Sequence, residues 1–184
     1  MLRRLTAAAS LLVIALAVAP HRLLAQGAAK SGARVVAATP EEAGAYLLII
    51  GSCHDCHTPN WIESKGKVGN DSLMTGRALG FMGAWGTNYS KNLRTIAAKQ
   101  SEDHWLEVMK TADGGDGNLP MPWHNTALMS DDDIRATYKY VKSLGAATVE
   151  RIPRNAKPGV APTSAYLDLS TKHPAPKDST VKKP

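Results

Sequence analysis

The chain has 184 residues, a formal charge of +6, 43% hydrophobic residues, a single Phe and two cysteines. That length suits one domain with appendages rather than two full domains. The cysteines stand three residues apart. A disulfide between them would close a loop too small to stabilise much, so a secreted disulfide framework is excluded. The charge is unevenly spread: residues 1–25 hold three arginines, residues 26–150 hold twelve basic and fourteen acidic side chains, and residues 151–184 hold seven basic and two acidic. A mildly acidic body with a basic tail, and no basic patch interleaved with aromatics, excludes a nucleic-acid footprint.

Residues 1–25 read as an export signal. Arg3 and Arg4 form its positive start, Leu5 to Ala19 is uncharged and apolar, and Ala25 offers a small residue before a cut at Gln26. The apolar run is shorter than the roughly 20 residues of a spanning helix. Cleavage is therefore expected, leaving no membrane span. Residues 26–38 read as a flexible leader of Ala, Gly, Lys and Ser. A helix then begins: Thr39 is its N-cap, Pro40 suits the first turn, and Glu42 completes a capping box. Ala45, Leu48 and Ile49 follow at helical spacing, with Tyr46 and Ile50 alongside, and Gly51 and Ser52 end it.

Next comes Cys53-His54-Asp55-Cys56-His57, a C-x-x-C-H sequence of the kind that attaches c-type haem. Two thiols on one helical turn can each bond a vinyl group of one porphyrin, and the following imidazole can reach the iron. His54, inside the motif, points away from the iron if His57 points to it. Three other readings are weaker. A thioredoxin-like C-x-x-C belongs to a βαβ setting, whereas this region reads as helical and strand-poor. Zinc needs four ligands, and here two cysteines and a histidine crowd one turn. Chance occurrence is the third.

Residues 58–100 are rich in Gly and Asn and show no clear period, which suits a long loop wrapped around something. A second helix is expected from the Ser101 cap through Trp105, Val108 and Met109, stopping near Gly114. Leu119-Pro120-Met121-Pro122-Trp123 follows, an extended and rigid path fixed by two prolines. Met121 is the expected second axial ligand, because the prolines restrict its thioether. Met82 is its rival, and Met74, Met109 and Met129 read as core filling. His104 and His124 read as surface or neighbouring groups. Ser130 caps the last helix, Asp131, Asp132 and Asp133 favour its positive end, and Ile134, Tyr138, Val141 and Leu144 line one face up to Gly145. Six of the eleven prolines lie beyond residue 150, so residues 147–184 read as an extended Pro/Lys-rich tail. Ala165-Tyr166-Leu167 could pin that tail to the body.

Taken together, these motifs over Pro40 to Leu144 resemble the class I monohaem c-type cytochrome family. In Gly76-Arg77-Ala78-Leu79-Gly80 and Tyr89-Ser90-Lys91-Asn92 the chain is similar to periplasmic cytochromes that serve as partners or subunits of bacterial dehydrogenases. The resemblance implies an all-α, cytochrome c-like fold in residues 39–146, its first and last helices crossing near one haem edge through Ala45, Ile49, Tyr138 and Val141. Cys53, Cys56, His57 and Met121 would bind one haem c, the last two as iron ligands. Arg77, Tyr89, Asn92 and Trp123 would offer donors to its carboxylates. The expected function is periplasmic electron transfer without catalysis, between a donor dehydrogenase and an acceptor cytochrome or oxidase. A five-coordinate haem enzyme or gas-binding protein is the alternative, and it would need an open iron position.

Overall fold

The structure, a computed structural model, describes residues 34–111, 120–147 and 152–170. The expected signal at 1–25, most of the leader, and the expected helix stop at Gly114 lie outside these residues. Three of the described helices begin where the sequence places caps. Helix α1 runs Pro40–Ile50, and the Thr39 hydroxyl accepts the Glu42 amide at 3.1 Å. Helix α4 runs Glu102–Thr111, with the Ser101 hydroxyl accepting the His104 amide. Helix α6 runs Asp131–Ser143, and the Ser130 hydroxyl accepts the Asp133 amide at 3.2 Å. Replacing Ser130 by Ala should cost about 1 kcal/mol in denaturant unfolding, the usual value of a lost cap.

The α1–α6 crossing is closer than the sequence suggested, and it uses a different face. A Cβ on Gly44 would lie 2.1 Å from the Ala136 carbonyl oxygen, so backbone packs directly on backbone there. This turns Ala43, Gly44, Leu47 and Leu48 inward. Ile49, expected at the crossing, is 54% exposed, and Ala45 is only partly buried. Tyr138 and Val141 are buried as expected. They join Leu48, Met74, Ala97, Trp105, Met109 and Ile134 in the main apolar cluster. Ahead of α1, the Val35 amide donates to Asp133 Oδ1 at 2.8 Å, and Arg34 pairs with Asp132.

The expected all-α class is overturned by a three-stranded mixed sheet. Strand β1, Arg77–Gly83, pairs antiparallel with β2, Gly86–Ser90, and parallel with β3, Tyr166–Asp168. Glycine is what makes the hairpin possible. A Cβ on Gly80 would lie 2.6 Å from Thr87 and 2.9 Å from the Tyr89 ring, so its bare backbone gives those side chains room across the ladder. Between the strands and α4, residues Leu93–Lys99 form helix α3, capped by Asn92, whose Oδ1 accepts the Thr95 amide. About half of the residues read as one long loop are thus a hairpin and a helix.

The segment after α6 returns to this sheet. Ala156 and Thr87 exchange two backbone hydrogen bonds at 2.8 Å on the outer edge of β2, while β3 covers the outer edge of β1. Both edges of the hairpin are therefore closed, which removes a site for stray strand pairing. The Ala165-Tyr166-Leu167 cluster supplies the second closure: the Ala165 carbonyl accepts the Gly80 amide at 2.8 Å.

Candidate functional site

Gly51 ends α1, Ser52 turns the chain in the left-handed region at φ 55°, and the short helix α2, Cys53–His57, follows at once. The break re-aims the motif relative to α1. Cys53 and Cys56 are free thiols and partly buried. Burial first, then Cys56 nearby, pushes the Cys53 thiol up to about 11; burial likewise raises Cys56. Both therefore stay protonated at neutral pH. Redox-active C-x-x-C thiols have the opposite tendency, with a lowered pKa.

The two histidines of the motif have separate tasks. His54 is 2% exposed, its ring stacks on Trp61 with centroids 4.1 Å apart, and its Nδ1 shares a 2.9 Å hydrogen bond with Thr58 Oγ1. Burial lowers its pKa to about 4, so it is a neutral packing group. Thr58 Oγ1 also accepts the Met74 amide at 3.0 Å, tying the end of α2 to the core. His57 instead donates Nδ1–H to the Lys91 carbonyl at 2.9 Å. Burial lowers its pKa and this hydrogen bond opposes the shift. The result is a neutral imidazole with its proton on Nδ1 and an Nε2 lone pair that has no hydrogen-bond partner among the described residues.

A three-way junction holds that imidazole. The Gly76 amide donates to the His57 carbonyl at 2.8 Å, joining α2 to the start of β1. Gly76 has φ +85°, and a Cβ there would lie 2.6 Å from the Ser90 carbonyl oxygen and 2.8 Å from Lys91 C. Only glycine satisfies both the torsion and the contact. The end of β2 is thereby pressed against the residue that binds the His57 backbone.

The structure brings Cys53, Cys56 and His57 together on α2. Met121 is half-buried between α4 and α5 (Trp123–Leu128), and it packs on the same apolar cluster as Cys53. Of the other expected donors, Arg77 bonds the Asp55 carbonyl and pairs with Glu63. Tyr89 is buried against the tail, and Asn92 caps α3. Lys91, whose part is played by its carbonyl, was not singled out from sequence, because every residue carries that group. Among the described residues, no three His, Cys, Asp or Glu side chains converge to hold a metal ion. Two open clefts, of about 560 and 270 Å³, lie at residues 85–91 with 152–158 and at 34–43 with 132–139; neither is lined by the motif or by Met121.

Over 114 residues the chain is 32% identical to the gluconate 2-dehydrogenase cytochrome c subunit of Pantoea cypripedii. The similarity is thus to a cytochrome subunit of a dehydrogenase. It covers 56% of this chain and 26% of that protein, so the matched stretch spans about a quarter of the relative's length. No family profile and no solved structure matches the chain.

Proposed function

We propose that the chain is an exported, periplasmic electron carrier with one haem c. Cys53 and Cys56 would hold the porphyrin through thioether bonds, and His57 and Met121 would ligate its iron. The observation that carries this reading is the donor set on α2: two neutral free thiols one turn apart, followed by an imidazole whose Nδ1–H is fixed on the Lys91 carbonyl and whose Nε2 has no partner among the described residues. A metal-ligating histidine donates its other ring N–H in this way, which fixes the tautomer and raises ligand basicity. The similarity to a dehydrogenase cytochrome subunit supports it independently.

The haem, when bound, supplies a one-electron ferric/ferrous couple whose potential a His/Met pair raises. The protein's own groups bind and orient. The cysteines would bind the porphyrin, Lys91 holds the His57 ring, and the Pro120–Pro122 frame restricts Met121. The electron donor would be a dehydrogenase, and the acceptor a cytochrome or oxidase in a respiratory chain, met in small and transient contacts. Met121→Ala tests the ligation. The variant should keep its covalent haem, lose the weak sulfur-to-iron charge-transfer band, and begin to bind carbon monoxide. Ready carbon monoxide binding by the unmodified chain would return Met121 to a packing role and favour the five-coordinate alternative.

A further inference from the structure

We infer that the segment Ile152–Ser164 is a strap that positions His57, acting through β2 and the Lys91 carbonyl, with Asn155 and Ala156 as its positioning residues. The inference rests on the reading of His57 as a haem ligand. His57 depends for its tautomer on one acceptor, the Lys91 carbonyl, 34 residues away in sequence. Lys91 directly follows β2, so whatever fixes β2 fixes that acceptor.

The inner edge of β2 is held by β1, and the strap holds its outer edge at several points. Thr87 and Ala156 exchange both backbone hydrogen bonds at 2.8 Å. Asn155 Oδ1 accepts the Tyr89 amide at 2.9 Å, two residues before Lys91. The Tyr89 hydroxyl accepts the Ser164 amide at 3.2 Å, so the strap is tied at its far end as well. Gly86 has φ +98°, and a Cβ there would lie 2.1 Å from the Ala156 carbonyl oxygen, so the strap's backbone sits directly on the hairpin turn. These bonds are 66 and 75 residues apart in sequence for Asn155 and Ser164. They are therefore made by tertiary packing, and the tail can be removed without touching the motif itself.

Loss of the strap should free the end of β2 and weaken the Nδ1–H bond. His57 then becomes a poorer donor through Nε2, and the reduction potential rises. The experiment uses the exported chain in three forms: ending at Ser170, ending at Glu150, and full length with Asn155→Ala. Three quantities are read: exchange of the Tyr89 amide, exchange of the His57 Nδ1 proton by nuclear magnetic resonance, and the reduction potential. The chain ending at Ser170 keeps the strap and should match the full protein. The other two should show both protons exchanging roughly tenfold or more faster, as expected of a locally opened edge, with a raised potential. Asn155→Ala answers the question if the shorter chain does not fold. Faster Tyr89 exchange with an unchanged His57 proton and potential would make the strap purely structural and overturn the inference, as would no change at all. A chain that carries no haem overturns the haem reading alone; the His57 proton still reports whether the strap holds the ring.

Discussion

Gly44→Val should be the most damaging single substitution in the α1–α6 pair, costing about 3 kcal/mol or more and in practice leaving little folded protein. A Cβ at this position would sit 2.1 Å from the Ala136 oxygen, 2.6 Å from the Ala136 carbonyl carbon and 2.9 Å from Tyr140 Cβ. Two of these neighbours are backbone atoms of α6, so no rotamer change relieves the contact and the helices must separate. Overpacking costs about 1–3 kcal/mol where side chains can adjust, and here they cannot. Replacing a helical Gly by Ala returns only about 1 kcal/mol of helix propensity, so even Gly44→Ala should be a net loss. Gly69→Ala is the matched control: nothing lies within 4 Å of its Cβ position and its φ is negative, so it should be close to neutral. Denaturant midpoints of the three variants, measured on the exported chain, decide the matter; a Gly44→Ala variant as stable as the parent would show that the helices do not cross here.

Arg94→Met should cost roughly 3–5 kcal/mol, or about 10 °C in melting temperature for a domain of this size. Arg94 is only 6% exposed, and among the described residues no carboxylate pairs with it. Among the described residues its guanidinium bonds backbone carbonyls: Nε to Gly145 at 2.6 Å, Nη2 to Leu144, and Nη1 to Asn70 at 2.9 Å and Asp71 at 3.5 Å. Leu144 and Gly145 stand at the end of α6, where carbonyls lack helical partners and the helix dipole is negative. The arginine is thus a C-terminal cap delivered from α3, joining α6 to the turn at Asn70–Ser72. Methionine keeps the apolar stem and removes every donor, so several buried acceptors are left unmet at once. Arg94→Lys should recover only a minor part, because an ammonium cannot reproduce the planar fork. Thermal unfolding of both variants tests this; a loss below 1 kcal/mol in Arg94→Met would mean that water replaces the guanidinium without penalty.

Helices α1, α4 and α6 were legible because their signals are local, whereas α3 and α5 were not read as helices. Thr39, Ser101 and Ser130 announce the starts of α1, α4 and α6, and Ile134, Tyr138 and Val141 repeat at the period of a buried face. The crossing face of α1 was misread because that helix is apolar nearly all round; which side turns inward is decided by the contact of Gly44 with Ala136, a fact of tertiary structure. The hairpin was hidden for a related reason. Its turn, Ala84-Trp85, lacks the Asn-Gly or Asp-Gly signal, and Gly80 and Gly83 weaken any strand pattern. Their purpose shows only when Thr87, Tyr89 and Trp85 lie over them. The C-x-x-C-H motif was legible because its chemistry lies in five consecutive residues. Lys91 and Arg94 were not, because one contributes a carbonyl and the other binds carbonyls, and carbonyls leave no trace in a sequence.

The most direct test of the account is the mass and absorbance of the full chain after export from a host able to attach haem c, followed by complete denaturation. The account predicts a polypeptide one haem heavier than residues 26–184, with a c-type reduced spectrum that survives unfolding and is lost when Cys53 and Cys56 are both replaced by Ser. A well-folded chain recovered without haem from that host, or a haem that washes away on denaturation, would contradict it.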